Sequence, residues 1–205
     1  MIKNKKKKSA IFQMDPFNRL NLDSDTSISL IKEAKHQGID VWICYPSDLS
    51  YEENKAFTIA HRVTKEGLKL CSPQKKDLDK FDFFFIRQDP PFDLSYLTNC
   101  YLLEMHKKFN KRPFFVNDPG SIKNFTEKIF PLYFNNLMPK NCITESKEVF
   151  LRMLKKHRKL VIKTLYNKGG EGVVKVQSTK QKEALKIFED LKIKYSVPVV
   201  VQEFI

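Results

Sequence analysis

The chain has 205 residues and a formal net charge of +13, with 41% hydrophobic and 30% charged residues. This length allows one large domain or two small ones, and the composition excludes a disordered chain and a membrane bundle. No apolar run approaches the roughly 18 residues of a membrane helix, and the first residues lack the pattern of a signal peptide. We therefore expect a cytoplasmic protein that has no membrane partner.

The positive charge is concentrated in two parts of the chain. Residues 1–120 hold 20 basic and 16 acidic side chains, and five of those lysines lie within residues 1–8. Residues 121–205 hold 17 basic and 8 acidic side chains. Such an excess can bind nucleic acid or a small anion such as a nucleotide. Because no nucleic-acid-binding motif accompanies it, we expect solvated lysine-rich faces and no nucleic-acid partner.

The cysteines indicate reduced thiols. Cys44, Cys71, Cys100 and Cys142 stand singly, with no pair and no histidine at the spacing of a metal site. We expect neither a disulfide framework nor a cysteine-held metal.

The first 120 residues alternate short apolar runs with helical patterns, as in a layered α/β domain. Strands are predicted over 10–14, 41–45, 81–87 and 113–116, helices over 26–37 and 95–108, and a hairpin or irregular excursion over 56–71 that includes Gly67. The short strand–helix–strand links favour parallel pairing.

A turn cluster at 117–120 and the change to a basic composition predict a domain boundary near residue 120. Beyond it, helices are predicted over 126–133, 146–156 and 181–192, and strands over 160–164, 173–177 and 198–204. This pattern indicates an α+β unit with an antiparallel sheet. The last strand is apolar on both faces and no polar residues follow it, so we expect a truncated chain.

A glycine cluster and two lysines are the candidate phosphate site of the second unit. Gly169, Gly170 and Gly172 fall between two strands, where they suit either a close ligand or an ordinary hairpin tip. Lys163 ends the preceding strand, and Lys128 is predicted on a helix that opens with Thr126. Each lysine alone fits an exposed surface residue, but two lysines beside a mobile loop can clamp a polyphosphate.

In the first unit, candidate residues lie at the carboxyl ends of strands, where open α/β sheets bind ligands. Arg87 ends the aromatic strand, and its guanidinium suits a substrate carboxylate. Asp15 ends the first strand. The alternatives are a helix cap for Asp25 and a turn-setting role for Asp15 and Asp89.

Several segments resemble the bacterial glutathione synthetases in order and spacing. They are Met14-Asp15-Pro16, Asn21, Asp25-Thr26-Ser27, the run Arg-Gln-Asp-Pro-Pro-Phe-Asp over 87–93, Asn117-Asp118-Pro119, Glu127-Lys128, Lys163 and Gly169-Gly170-Glu171-Gly172-Val173. The resemblance covers residues 11–205. The run over 87–93 is the most specific segment, whereas the glycine loop is shared among ATP-grasp ligases.

The resemblance implies an α/β fold with a basic tail (1–8), a Rossmann-like pre-ATP-grasp domain (9–120) and a partial α+β ATP-grasp domain (121–205) that stops at the hinge strand. It implies ligation of γ-glutamylcysteine to glycine with ATP and magnesium, through an acyl phosphate that a closing glycine loop shields from water. It leaves self-association open.

The resemblance also implies roles for individual residues. The residues at nucleotide-binding positions are Lys128, Lys163, Gly169, Gly170, Gly172, Gln202, Glu203, Phe204 and Ile205. The residues at the border of the substrate cleft are Asp15, Asn21 and Arg87. No catalytic residue is assigned. The magnesium ligands are expected beyond residue 205 and none in this chain, so we expect residues 1–205 alone not to catalyse ligation.

This chain departs from the family pattern at several positions. Thr164, Tyr166 and Asn167 replace a proline, an acid and a glycine, and Gln88 and Asp118 stand where lysines are common. These departures bear on turnover more than on the fold. Three other functions stay open: another ATP-grasp carboxylate–amine ligase, against which the run over 87–93 argues, a non-catalytic basic binding module that uses the lysine tail, and a remnant without activity.

Overall fold

A computed structural model describes residues 7–64 and 68–205. The described chain forms two compact units, one ending at Asn124 and the other beginning at Phe125, and each is described by itself. The sequence places the boundary a few residues earlier, near 120. Most of the lysine tail and the predicted Gly67 lie outside the described residues.

The first unit is built on a six-stranded sheet. Its strands are β1 (Ser9–Met14), β2 (Asp40–Glu52), β3 (Lys55–Arg62), β4 (Gln74–Asp77), β5 (Phe83–Arg87) and β6 (Phe114–Val116), in the order β4-β3-β2-β1-β5-β6. β1 pairs in parallel with β2 and β5, and β5 pairs in parallel with β6, whereas β3 and β4 are antiparallel. The predicted parallel pairing is confirmed.

Helices cover both faces of this sheet. They are α1 (Thr26–His36), α2 (Leu94–Phe109) and the short α3 (Pro119–Asn124), with 3-10 turns at Phe17–Arg19 and Leu78–Lys80. Ile28 and Ile31 of α1 pack with Phe12, and Leu103 of α2 packs with Ile11 and Phe84 on the opposite face. Because both faces of β1 are buried, its sequence is a nearly continuous apolar run.

Aspartates cap the two long helices. Asp25 accepts hydrogen bonds from the backbone N–H groups of Ser27 (2.7 Å) and Ile28 (3.1 Å), and Asp93 accepts one from Tyr96 N–H (2.8 Å). These bonds satisfy donors that the first helical turn leaves free. The structure therefore confirms the interpretation of Asp25 as a helix cap.

The region after residue 45 differs from the prediction. β2 continues to Glu52, turns through Glu53 and Asn54, and pairs with β3 as a long hairpin. The sequence interrupts the apolar pattern at Pro46, and the sheet accommodates this with a shift in register between Cys44 and Leu49. Such a bulge lets a strand pass a residue that cannot donate to the ladder.

The second unit is an antiparallel sheet with two helices. Its strands are β7 (Asn141–Thr144), β8 (Lys159–Thr164), β9 (Val173–Gln177) and β10 (Val199–Glu203), in the order β7-β10-β8-β9, and its helices are α4 (Lys147–His157) and α5 (Gln181–Tyr195). Phe150 of α4 stacks on Phe188 of α5 at 4.5 Å, over Val199 and Val201. The predicted α+β unit is confirmed, with β7 as an additional strand.

The helix predicted over 126–133 is wrong. Residues 127–129 form a turn, and a 3-10 helix follows over Phe130–Leu137 with non-helical backbone angles at Phe134. Pro131 has no N–H to donate and disfavours α-helical angles at the preceding residue, so an α-helix cannot run through this segment. Lys128 consequently lies in a turn.

Candidate functional site

A cavity of about 430 Å³ lies on the face of the second sheet opposite α4 and α5. Along β10 the side chains alternate: Val199 and Val201 pack under the helices, whereas Val200 and Gln202 line the cavity. The lining comprises Glu127, Lys128, Pro131, Met138, Lys163, Asn167, Lys168, Gly169, Gly170, Glu171, Val173, Val200 and Gln202. Two of the predicted lysines and two of the predicted glycines thus share one cavity.

Lys163 reaches this cavity from β8. Its Nζ donates a hydrogen bond to Gln202 Oε1 at 2.6 Å, across the pairing of β8 with β10. An ammonium group has three donors, so one neutral amide oxygen does not use its full capacity. Gln202 positions the charge of Lys163 without neutralising it.

Lys128 reaches the same cavity from the turn before the 3-10 helix. Its Nζ donates to the backbone carbonyl of Asn167 at 2.6 Å and lies 3.4 Å from Glu127 Oε1. The Lys128 side chain is 15% exposed, whereas that of Glu127 is 69% exposed. An ion pair with so exposed a carboxylate contributes little free energy, so the Asn167 carbonyl is the contact that fixes Lys128.

The glycine cluster forms the tip of the β8–β9 hairpin. Gly169, Gly170 and Gly172 have φ angles of +63°, +79° and +70°, a region that other residues adopt only with strain. A Cβ at Gly169 or Gly170 would meet no atom within 4 Å. These two glycines are required by the turn itself, and they leave the backbone at the cavity edge unobstructed.

Gly172 has a different role from its two neighbours. A Cβ there would collide with the side chain of Thr164, whose backbone N–H donates to Gly172 O at 3.2 Å. Thr164 Oγ1 also donates to Glu171 O at 3.0 Å. Gly172 does not line the cavity; it permits the close approach that closes the hairpin onto β8.

Of the four residues predicted at the hinge, one lines the cavity and three do not. Gln202 lines the cavity, but Glu203, Phe204 and Ile205 lie outside its lining. Glu203 lies 3.3 Å from His157 Nδ1, and the Phe204 ring lies 3.5 Å beneath Lys175 Nζ. A nucleotide role for these three residues stays a prediction.

The apolar wall of the cavity was missed by sequence reasoning. Met138, Pro131 and Val200 supply it, beside the two lysines. For Val200 a signal existed, because the alternation of a strand places it on the same face as Gln202. The backbone carbonyl of Asn167 accepts the hydrogen bond from Lys128. This contact could not be predicted from the type of residue at position 167, because it uses the backbone and not the side chain.

The cavity suits an anion but not a magnesium ion. Its two ammonium groups and glycine backbone fit phosphate oxygens. Its carboxylates are Glu127, paired with Lys128, and Glu171, which accepts a hydrogen bond from Tyr195 OH at 2.8 Å and lies 3.6 Å from Lys194 Nζ. Within residues 7–64 and 68–205, no three His, Cys, Asp or Glu residues are placed to hold a metal.

In the first unit, Asp15 and Arg87 come together at the carboxyl edge of the sheet. β1 and β5 are adjacent, with Met14 opposite Arg87. Arg87 Nε donates to Ser27 Oγ at 3.0 Å, and Asp15 Oδ2 accepts from the backbone N–H of Asp89 at 3.0 Å. Asp15 therefore ties two strand ends together, as its turn-setting alternative predicts.

Asn21 lies in a local turn. Its Oδ1 accepts from Asp23 N–H at 3.1 Å, and its backbone carbonyl accepts from Asp25 N–H at 2.9 Å. The residue is exposed. This turn leads the chain into α1, so the structure gives Asn21 a local role and leaves substrate contact as a prediction.

Gln88 was not predicted as a site residue. Its Oε1 is buried and has no hydrogen-bond partner among the described residues, and its backbone carbonyl accepts from Tyr96 OH at 3.2 Å. Burial raises the pKa of Tyr96 to about 12, so its hydroxyl remains a donor. An unsatisfied buried oxygen costs free energy that a donating ligand would recover.

No described helix has the length and apolar character needed to cross a bilayer. Solved structures that resemble the chain are ATP-grasp proteins. The RimK domain protein ATP-grasp from Sphaerobacter thermophilus aligns with a TM-score of 0.61 at 16% identity, covering 96% of this chain and 64% of that one. D-alanyl-alanine synthetase A from Vibrio cholerae aligns with a TM-score of 0.61 at 13% identity, covering 97% and 60%. At such identities the likeness shows the fold.

Curated relatives carry the name glutathione synthetase. The one from Bradyrhizobium diazoefficiens is 31% identical over 198 residues, which is 94% of this chain and 62% of the relative. The one from Anaplasma centrale is 32% identical over 196 residues, or 95% and 61%, and the one from Agrobacterium fabrum is 32% identical over 171 residues, or 81% and 53%. The chain thus spans between about half and three fifths of the length of these relatives.

Family matches cover almost the whole chain. Residues 9–123 match the N-terminal domain of prokaryotic glutathione synthetase, and residues 127–205 match the ATP-grasp domain of the same family. These two ranges correspond to the two compact units of the structure. The chain belongs to the prokaryotic glutathione synthetase family.

Proposed function

We propose that this chain supplies the nucleotide-binding cavity and the dipeptide-binding edge of a cytoplasmic ligase that joins γ-glutamylcysteine to glycine at the expense of ATP. The observation that carries the proposal is the convergence of Lys128 and Lys163 on one cavity beside Gly169 and Gly170. Family membership supports the choice of substrates.

In this proposal the two lysines hold the phosphates of ATP. Lys163, oriented by Gln202, and Lys128, oriented by the Asn167 carbonyl, donate to phosphate oxygens from separate elements. Bound ATP supplies the phosphoryl group that activates a substrate carboxylate. Val200 and Met138 offer the apolar surface for the base, and the hairpin tip excludes water.

The dipeptide belongs to the carboxyl edge of β1 and β5. Ser27 orients the guanidinium of Arg87 through the bond to Nε, so the terminal nitrogens of Arg87 can bind a carboxylate in a bidentate manner. The unpartnered Gln88 Oε1 gives the same edge an acceptor for an amide or ammonium donor.

The test is ADP release by this chain joined to the carboxyl-terminal part of a curated relative. We expect release only when γ-glutamylcysteine and glycine are both present. We expect none from residues 1–205 alone, because no three His, Cys, Asp or Glu residues of the described chain are grouped to hold a metal and both cavity carboxylates are paired within the chain. Release with other amine acceptors but not with glycine would instead favour another carboxylate–amine ligase.

A further inference from the structure

A second cavity of the second unit is lined by basic side chains. It has a volume of about 420 Å³, lies between α4 and the start of α5, and shares no residue with the nucleotide cavity. Arg152, Lys155 and Arg158 supply three positive charges to its lining, and none of the described carboxylates belongs to it. A cavity of this size suits a small molecule, and its charge favours an anion.

The three cations lie together because of their spacing in the sequence. Arg152 and Lys155 are three residues apart on α4, so their side chains share one face of the helix. Arg158 follows three residues later, directly after the last residue of α4. The negative end of the helix dipole attracts Lys155, but Arg152 lies more than one turn from that end. Like charges at this spacing repel each other, and an anion bound between them would remove the repulsion.

The chain itself does not neutralise these three charges. Within the part of the chain that the structure describes, none of the three side chains forms an ion pair. Glu148 lies one turn before Arg152, but its carboxylate accepts a hydrogen bond from Ser146 Oγ at 2.7 Å. The positive charges are therefore available to an anion from solution.

The backbone holds Arg158 beside the other two cations. Its φ of +61° and ψ of −35° lie in a region that a residue with a Cβ adopts only at a cost. Two hydrogen bonds stabilise this conformation: Arg158 N–H donates to Leu154 O at 2.9 Å, and Ser178 N–H donates to Arg158 O at 2.7 Å. The second bond joins the base of the β8–β9 hairpin, at the opposite end from Gly169 and Gly170.

Two polar side chains complete the cavity from other elements. Ser178 begins the 3-10 turn Ser178–Lys180 after β9, and Gln181 is the first residue of α5. The hydroxyl and the amide can each donate a hydrogen bond to a phosphate oxygen. The N-cap residue of α5, Lys180, makes no side-chain hydrogen bond to the first turn. The positive end of this helix dipole thus adds to the charge of the three cations.

We propose that this cavity is a second phosphate site, which binds the diphosphate group of a small ligand. A diphosphate carries several negative charges and offers oxygens to cations that approach from different sides. Leu151 and Leu154 also line the cavity and offer apolar surface to an organic group attached to the diphosphate. The site goes beyond the proposed function, because none of its residues lines the nucleotide cavity or lies at the dipeptide edge.

The test is calorimetric titration with inorganic pyrophosphate of the chain that carries Lys163→Ala, a substitution that weakens the competing nucleotide cavity. We expect binding that a further Arg152→Ala weakens at least about tenfold. The matched control is Lys156→Ala, which removes an equal charge from α4 outside the cavity lining and should change the affinity by less than about twofold. Absence of binding, or equal losses from Arg152→Ala and Lys156→Ala, would overturn the proposal.

Substitutions at Arg158 keep the proposal testable if Arg152→Ala disturbs α4. Arg158→Ala should weaken pyrophosphate binding at least about tenfold, and Arg158→Lys, which keeps the charge, should restore most of it. Loss of binding to the same degree in both variants would contradict a role for this charge.

Titration of the same variants with ADP distinguishes the source of the diphosphate. ADP that binds more tightly than pyrophosphate indicates an organic diphosphate, and ADP that binds more weakly indicates the free anion. Either result supports the site if Arg152→Ala weakens it. A single-stranded oligonucleotide that binds more tightly than both, with equal losses from Arg152→Ala and Lys156→Ala, would instead show a nucleic-acid surface and reject the site.

Discussion

Lys163 and Gln202 occupy neighbouring antiparallel strands, and the ammonium of one donates to the amide oxygen of the other at 2.6 Å. The positive charge of Lys163 therefore lies at the cavity wall, and the residue that orients it, Gln202, is neutral. A carboxylate in place of Gln202 would compete with phosphate for the same ammonium. With a neutral partner, Lys163 keeps its positive charge available to phosphate oxygens.

Lys163→Ala should weaken ATP binding about tenfold or more, the effect of losing a hydrogen bond to a charged group of about 1.5–3 kcal/mol. Calorimetric titration of the chain with ATP measures it. The matched control is Lys159→Ala, on the same strand and face but outside the cavity lining. Equal losses from both substitutions would point to general attraction by the basic surface.

Arg87→Ala should weaken binding of γ-glutamylcysteine about tenfold or more while leaving ATP binding unchanged, because Arg87 lies at the edge of the first sheet and not in the cavity. Titration with each ligand separately measures the division of roles. Arg62→Ala, which removes an exposed arginine paired with Asp40, is the control. Loss of both ligands to the same degree would contradict the assignment.

Gly172→Ala should destabilise the second unit more than Gly169→Ala. Both substitutions strain a left-handed backbone by roughly 1–2 kcal/mol, but only the one at Gly172 adds a collision with Thr164, which costs about 1–3 kcal/mol more. Denaturant unfolding of the two variants gives the comparison. Equal free energies of unfolding would show that the hairpin can shift to admit a methyl group.

Acid should destabilise the first unit through His106. This side chain is fully buried, its Nδ1 accepts from Ala56 N–H at 3.0 Å, and its Nε2 lies 2.8 Å from Arg112 O. These contacts hold the neutral ring with its proton on Nε2. Burial lowers the pKa of His106, so the unfolded chain binds the proton more readily.

The free energy of unfolding should therefore fall as the pH drops below about 6.5, by at most about 1.4 kcal/mol per pH unit for this group. Denaturant unfolding at several pH values measures the slope. His106→Gln should reduce the slope, and His36→Gln, at an exposed histidine, should not. A slope unaffected by His106→Gln would place the acid sensitivity elsewhere.

The sequence predicts the central strands and capped helices because their signals are local. The apolar run of β1 requires burial on both faces, and Asp25 stands at the position from which a carboxylate reaches the first free N–H groups of α1. The turn at Lys128 was not predicted from the sequence. The residues around Lys128 have a helical pattern, but Pro131 prevents an α-helix from running through them.

The candidate site was predicted in part. Lys163, Gly169 and Gly170 carry chemistry in their side chains or backbone freedom, so their types and spacing indicated a phosphate site. The carbonyl of Asn167, which fixes Lys128, could not be predicted, because every residue has a carbonyl and only the folded hairpin directs this one.

A structure of the chain with a non-hydrolysable ATP analogue tests the central claim most directly. We predict phosphate oxygens within hydrogen-bond distance of both Lys128 Nζ and Lys163 Nζ, with the base against Val200. A nucleotide bound outside this cavity, or one that contacts neither ammonium, would contradict the account.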